Sequence, residues 1–387
     1  MAQARLYYSL HHSEAPMNLN ELARKLILGA IVAGGAAHAQ ILIGQTGGFT
    51  GPVASGVKET TDGAKLYIDS VNAKGGVNGQ KIELISLDDK FDPKLAAENA
   101  RQLIVDKQVL AIFLNRGTPH TEAINPLLEQ HGVPLIGPST GAMVLHQPVR
   151  KYIFNVRATY QREAEKAVEH LVTMGVKNIA VVHTDDSFGQ DGLQGAVRGL
   201  AKAKLEAVAV LKTDRSKPDF TVLAAPLTKA QTQAIIWVGS GTHVVDGIKA
   251  LRAAGPVPQI VTLSNNASSG FVKSLGTNAR GVIVTQVFPS ERSIAYAMVK
   301  EALTLANAKP GTSLSPAMLE GFAAAKVLVE GLQRAGKNPS REKLRAALES
   351  IKSFNLGGLE VGYGPDDHTG LDFVDLSIVG ADGRFMR

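Results

Sequence analysis

The sequence predicts an α/β fold built as two successive units, each a mainly parallel sheet with helices on both faces. Two observations carry this. Short β-rich runs alternate with segments of helical apolar spacing, and the same alternation starts again near Arg162. With 387 residues, 44% of them apolar and 20% charged, the chain has length for about two or three domains and a globular composition. Disorder, collagen and coiled coil are excluded on the same grounds.

In chain order, the first unit reads as strands at Ile41–Gly44, Ile82–Leu87, Leu110–Leu114 and Val133–Ile136. A helix between the first two is read from the spacing of Gly63, Leu66, Tyr67, Ser70 and Val71. The second unit opens with a helix from Arg162 through Met174, then the strand Asn178–His183, a helix from Gln190, and strands at Leu205–Leu211 and Ala234–Val238. After Phe288 come helical stretches at 291–307, 315–335 and 340–350, a Gly/Pro/Asp-rich segment 357–370, and a strand-like run Leu371–Val379.

Ahead of these units, the segment from Met17 carries Arg24 and Lys25, an apolar run Leu26–Ala33 and small residues at Ala37 and Ala39. This is the pattern of a secretory signal peptide, residues 17–39, with cleavage expected after Ala39. Residues 1–16 have no hydrophobic pattern and are expected to be a non-native extension, translation starting at Met17. No cysteine follows the cleavage site to take a lipid anchor, so the mature protein is expected to be soluble and free in a bacterial periplasm.

Cysteine is absent throughout, which removes disulfides, thiolate metal sites and cysteine nucleophiles together. The formal charge of +6 comes from 41 Lys/Arg against 35 Asp/Glu spread along the chain, without the basic stripe of a nucleic-acid surface. That excess mildly attracts anionic small molecules.

In open α/β sheets ligands bind outside the carboxyl ends of the strands, so the loops there matter most. Gly44-Gln45-Thr46-Gly47-Gly48-Phe49-Thr50-Gly51-Pro52 is glycine-rich but lacks the Gly-Lys-Ser/Thr ending of a phosphate loop. Thr118 stands before Pro119 as an expected N-cap hydroxyl. Gly137-Pro138-Ser139-Thr140-Gly141 matches the G-x-S-x-G nucleophile elbow, with His183, His243 and His368 downstream. An elbow needs a strand running sharply into a long helix, and Pro148 arrives within seven residues of Ala142. Serine hydrolysis at Ser139 is therefore the remote reading. Hydroxyls and backbone N–H groups at Thr118, Ser139, Thr140 and Gly141 are instead a good way to hold a carboxylate, with simple helix capping as the bland alternative. Asp88 and Asp89 read as a surface turn beside Lys90, Lys94 and the expected N-cap Asp92 rather than a metal site.

The order of NAKGGVNGQKIEL, DDKFDPKLA, VPLIGPST and DDSFGQDG along the chain resembles the periplasmic substrate-binding proteins of branched-chain amino acid (Leu/Ile/Val) type ABC importers, over essentially all of residues 41–387. The resemblance implies a type I periplasmic-binding-protein fold: two doubly wound α/β lobes joined by a three-stranded hinge, with the ligand cleft between them. Lobe 1 is expected to hold 40–158 plus 288–369, and lobe 2 159–287 plus 370–387. It also implies a monomeric receptor that delivers a small carboxylate solute to a membrane permease and its ATPase, with no nucleic-acid partner, no catalysis, no cofactor and no metal. A sensor subunit with the same fold, reporting to a membrane kinase, is the alternative.

Residue by residue, the resemblance places carboxylate contacts on Thr118 and on Ser139-Thr140-Gly141. The family's second-lobe aromatic falls on Phe188, whose ring is expected to stack over the ligand. Gly239 opens a small polar loop where the family has an aromatic segment, and Phe288 lies in the second crossing as a pocket wall or a packed hinge aromatic. Tyr160 and Arg162 lie near the first crossing, as hinge, pocket-edge or surface residues. Where amino-acid binders carry an acid for the ligand ammonium, this chain has Ser264, with Asn265 beside it. Where leucine-type proteins carry a first-lobe tryptophan, it has Gly56, so a roomier pocket is expected. These departures favour an aromatic or branched organic acid over an amino acid, because a buried ammonium without a carboxylate is costly to desolvate. Asp186 is held in reserve as the acid for an ammonium.

Overall fold

Strand β1 (Ile41–Gly47) is the strand around which the first sheet is wound, pairing in parallel with β2 (Ile82–Asp88) on one side and β3 (Ala111–Phe113) on the other. The computed structural model describes residues 40–255 and 258–387. The expected signal peptide, 17–39, and the expected extension before it lie outside the described residues. Beyond β3 follow β4 (Leu135–Ile136) and β5 (Ile153–Phe154), giving the order β2-β1-β3-β4-β5, all parallel. Helices α1 (Ala54–Ala73), α2 (Pro93–Arg101) and α3 (Thr118–His131) fill the crossovers.

After helix α4 (Tyr160–Thr173) the pattern repeats. Strands β6 (Ile179–Thr184), β7 (Ala209–Thr213), β8 (Ala234–Val238), β9 (Gln259–Thr262) and β10 (Ile283–Gln286) form a parallel sheet in the order β7-β6-β8-β9-β10. Its crossovers carry α5 (Ser187–Lys202), α6 (Ala224–Lys229), α7 (Thr242–Ala254) and α8 (Ser269–Leu275). Every residue of β6 and β8 is buried, as strands covered on both faces must be. These are two doubly wound α/β lobes.

Helices α9 (Ala297–Asn307), α10 (Pro316–Ala335) and α11 (Arg341–Glu349) come next, and α10 lies along α1. A Cβ on Gly63 would stand 1.9 Å from the Met318 carbonyl oxygen, and one on Gly321 1.7 Å from that of Thr60. Glycine at both positions lets the two backbones touch, so the helices pack closer than side chains allow. After the short ribbon β11 (Phe354–Asn355) and β12 (Glu360–Val361), strands β13 (Asp375–Val379) and β14 (Phe385–Met386) add antiparallel to the second sheet at β10.

Helix starts follow local side-chain chemistry. Asp92, Thr159, Asp186, Ser268, Ser315 and Ser340 each accept a hydrogen bond from a backbone N–H in the first turn of the helix they precede. Thr118 departs from expectation: Gly117 is the N-cap of α3, and Thr118 is already helical with its hydroxyl directed elsewhere. The stretch 291–296 is a loop, so α9 begins at Ala297. Strand β7 begins four residues later than its apolar run predicts and ends two later, because Leu205 turns the chain back onto Leu200 at the end of α5.

Asp191 ties α5 to the loop after β4. Its Oδ1 accepts the Met143 N–H at 3.0 Å and the Gln161 amide at 2.7 Å, while Oδ2 has no partner among the described residues. Burial pushes its pKa up to about 6, against the two hydrogen bonds that favour the anion. A folded pKa above the unfolded one means that stability falls as pH rises from about 4 to about 6 and is then level. Asp191→Asn is therefore expected to stabilise the protein at pH 7.5 by about 1–3 kcal/mol and to give no gain near pH 4, measured by urea unfolding at both pH values.

Candidate functional site

The winding order places the switch points between β1 and β3 and between β6 and β8, and the loops leaving those strands face one another. The Thr242 N–H donates to the Pro52 carbonyl at 3.0 Å, and the Glu59 carboxylate accepts the Ser269 and Gly270 N–H groups at 2.9 and 2.8 Å. Ser187 donates to Glu122 at 2.5 Å. These contacts join the loops of one sheet to those of the other at the strand ends, where open α/β sheets place a ligand cleft.

The cleft base is built on Arg157, in the segment from β5 to α4. It is 1% exposed and donates to the Glu163 carboxylate and, at 2.7 Å, to the Ser264 hydroxyl. Glu163, fully buried on α4, also accepts the Ser264 N–H at 2.8 Å and the Thr285 hydroxyl. Glu320 on α10 lies 3.8 Å from Arg157, and the Tyr160 ring sits 4.6 Å beneath the guanidinium. Burial alone would lower the Arg157 pKa, but the neighbouring Glu163 outweighs it and holds the guanidinium above its ordinary range.

Arg116 is the second buried guanidinium. It lies in the loop from β3 to α3, is 5% exposed, and has no carboxylate within ion-pair distance among the described residues. Its Nη2 donates to the Asn265 carbonyl at 2.5 Å and its Nη1 reaches the Ser139 hydroxyl at 3.5 Å. Burial lowers its pKa, with Tyr160 and Glu320 acting the other way. A Cβ on Gly56 would stand 3.5 Å from Nη1. The Arg116 head thus packs over Gly56.

Thr118 and Thr140 share a hydrogen bond of 2.7 Å, and Ser139 N–H donates to the Asn115 carbonyl at 2.8 Å, so the loops after β3 and β4 are one assembly. The Gly141 carbonyl accepts the Tyr160 N–H at 2.8 Å. Phe188 is buried and meets Tyr160 edge-on at 4.8 Å. Gly239 accepts the side-chain amides of Asn265 and Asn266 at 2.9 and 3.0 Å. Asn265 also donates to Ser240, and its Oδ1 has no partner among the described residues.

Three expectations are redrawn here. The Ser264 hydroxyl is committed to Arg157. Asp186 caps α5 at the Gly189 N–H and pairs with Arg215 at 2.5 Å, so it is already neutralised. Phe288 packs in the apolar core under the first sheet, with its carbonyl accepting from Arg387 at 2.9 Å. Arg162 is partly exposed and lies 3.6 Å from Asp372, whereas Tyr160 is buried in the cleft base. Asp88 forms the expected turn with Thr50 and Lys90, but Asp89 is buried, bonded to Thr46 and the Phe91 N–H.

The elbow reading fails on context. Ser139 is followed by a 3-10 turn at Met143–Leu145 and its hydroxyl faces Arg116, a cation that cannot take a proton from it. His183 and His368 are engaged with backbone carbonyls, at Thr184 and at Arg150 and Ile153. No group of three or more metal-ligating side chains occurs among the described residues.

Sequence reasoning missed Arg116, Arg157, Glu163 and Glu320. Single charges in loops and on an amphipathic helix read as solvent-facing. The available signal was the Asn115-Arg116-Gly117-Thr118 run ahead of Pro119, where a loop with a required glycine carries a cation to a strand end.

The chain belongs to the periplasmic binding protein family, which it matches over residues 40–377, and within it to the branched-chain amino acid type. It is 25% identical over 342 residues to Leu/Ile/Val-binding protein homolog 3 of Brucella melitensis, covering 87% of this chain and 90% of that one. It is 23% identical over 347 residues to the leucine-specific-binding protein of Salmonella typhimurium, covering 89% and 91%. A possible leucine/isoleucine/valine-binding protein from Rhodopirellula baltica superposes with a TM-score of 0.84 at 28% identity, over 92% of this chain and 98% of that one. A substrate-binding periplasmic protein from Ralstonia solanacearum gives 0.81 at 28%, over 90% and 99%. These relatives are named as binding proteins, and the family is periplasmic. No described helix is long and apolar enough to cross a membrane.

Removing one member of a buried ion pair strands the other in a medium that cannot solvate it. Glu163→Gln is expected to destabilise the fold by about 3–5 kcal/mol, checked by urea unfolding at pH 7.5.

Proposed function

We propose that this chain is the periplasmic receptor of a branched-chain-amino-acid-type ABC importer. It captures a small carboxylate-bearing solute, an amino acid or an aromatic or branched organic acid, and delivers it to the membrane permease and its ATPase. Arg116 carries this reading: a buried cation without a carboxylate partner among the described residues, in a cleft beside Thr118, Ser139 and Thr140, is complementary to a carboxylate. The chemistry is binding alone, since Ser139 has a cation and not a base beside it. Signal-peptide cleavage after Ala39 delivers the mature chain to the periplasm.

The reading divides the chain into lobe 1, 40–158 plus 288–369, and lobe 2, 159–287 plus 370–387. The open form takes the solute at Arg116, Thr118 and the 139–141 loop of lobe 1. Phe188, Gly239 and Asn265 of lobe 2 then close over it, with the Glu59, Pro52 and Glu122 contacts completing the seal. Solute shifts the equilibrium because lobe 2 touches it only when closed.

The test is a thermal-shift screen of the mature chain, from Gln40, against amino acids, aromatic acids and aliphatic acids, followed by calorimetric titration of the hits. Arg116→Met is expected to weaken the best carboxylate at least tenfold without changing the unfolding midpoint of the unliganded protein by more than a few degrees. Unchanged carboxylate affinity in Arg116→Met would sink this assignment of the anchor. Solutes lacking a carboxylate as the only hits would sink the solute class.

A further inference from the structure

Two histidines in the cleft loops are left without work by the assignment above. His120, two residues after Thr118, is 1% exposed, and His243, in the first turn of α7, is 6% exposed. Neither ring nitrogen of either residue has a hydrogen-bond partner among the described residues. Each faces a backbone carbonyl, Phe91 for His120 and Asp214 for His243, without completing a bond of good geometry. Buried polar groups are almost always paired, so two unmatched imidazoles in one cleft call for a ligand.

Their placement is built in. Nδ1 of His120 lies 2.6 Å from where a Cβ on Gly117 would stand, and Nδ1 of His243 lies 3.0 Å from that of Gly239. Glycine at these positions makes room for the rings against the loops that carry Arg116 and Ser240. His120 stacks on Phe91 at 4.4 Å, and His243 meets Phe220 edge-on at 5.2 Å.

The charges nearby define what the rings would hold. Burial, with Arg215 adding to it, lowers both imidazole pKa values to about 4, so both are neutral at periplasmic pH. Each then offers one donor and one acceptor. Arg215 and Asp186 are paired at 2.5 Å and Arg215 lies 5.0 Å from the Phe91 ring centre, so the rings have beside them neither a free cation for a second anion nor a free carboxylate for a ligand cation. A hydroxyl, itself a donor and an acceptor, matches neutral imidazoles.

We propose that His120 and His243 recognise a hydroxyl of the solute, making this cleft a receptor for hydroxy acids whose carboxylate lies on Arg116. The inference rests on the carboxylate reading and names the class of acid. The experiment is calorimetric titration of the mature chain with matched pairs: benzoate against 4-hydroxybenzoate, and butyrate against 4-hydroxybutyrate. At least one hydroxylated member is expected to bind tenfold or more tightly than its partner. In His120→Ala and His243→Ala that gap is expected to shrink below threefold while the unhydroxylated acid keeps its affinity. Because an alanine variant can fail to fold, imidazole 15N shifts of the unaltered protein give a second readout, expected to move with the hydroxylated acid and not with its partner. Acids that bind equally with and without the hydroxyl would overturn the histidine pair and leave the carboxylate receptor standing. Binding of neither member of any pair, with hits only among solutes lacking a carboxylate, would overturn both.

Discussion

The Arg157–Glu163 pair fixes the geometry on which the cleft depends. Two charges with side chains 1% and 0% exposed are tolerated only when their remaining donors and acceptors are met, because desolvation otherwise exceeds their attraction. Most of them are met by Ser264, Thr285 and the Ala158 carbonyl, with the Tyr160 ring and Glu320 close by, while Arg157 Nη1 has no hydrogen-bond partner among the described residues. These partners come from the segment after β5, from helix α4, from the ends of β9 and β10, and from α10. A single guanidinium therefore holds a connection between the sheets, the floor of the second lobe's loops and the helix that backs the first. Sliding any of them strands a buried charge, so the cleft base has one arrangement.

Above that base the fold leaves freedom. Both sheets run in the order two-one-three-four-five, which opens a crevice beside the first strand of each where adjacent crossovers diverge to opposite faces. Loops at that point are not needed to cover the core, and glycine recurs in them at 117, 239 and 241, and at 56 in the first turn of α1. Arg116 over Gly56 shows the consequence. A Cβ at 56 would reach ordinary contact with the guanidinium, and any longer side chain would compete with it for the same space.

Legibility in the sequence followed the length and burial of each element. The run Ala234–Val238, five apolar residues all buried, is recognisable as a central strand from composition alone, and the structure gives it the same bounds. Strand β5 has two residues and exists because Leu135 and Ile136 present their backbone to it. Nothing local in Ile153–Phe154 encodes that pairing. The cleft was legible where local chemistry forces a loop, as at 137–141. It was not legible where long-range burial reverses a residue's usual habit. Glu163 sits in a helix rich in charges, with Arg162 and Glu165 flanking it; it falls on the same helical face as Tyr160, Ala164, Ala167 and Leu171, but a carboxylate on that face reads as a break in the apolar stripe and not as a buried group.

The same contacts bear on how little energy closure needs. Glu59 at the start of α8, Thr242 on Pro52 and Ser187 on Glu122 are hydrogen bonds at the cleft rim, each worth on the order of 1 kcal/mol net because water replaces them when the lobes part. Turning a mostly open population into a mostly closed one takes about 5.5 kcal/mol of differential affinity. Rim bonds of this size set the resting balance without dictating it. On the proposed reading the deciding contribution would come from groups that closure desolvates, and Arg116 is the candidate, its Nη2 donating to the Asn265 carbonyl of the facing loop at 2.5 Å. A carboxylate lying between Arg116 and the 139–141 loop would give that guanidinium the anionic partner it lacks just as the Asn265 loop shuts water out. On the proposed carboxylate reading, the solute's own charge would complete the interface and make binding and closure one event.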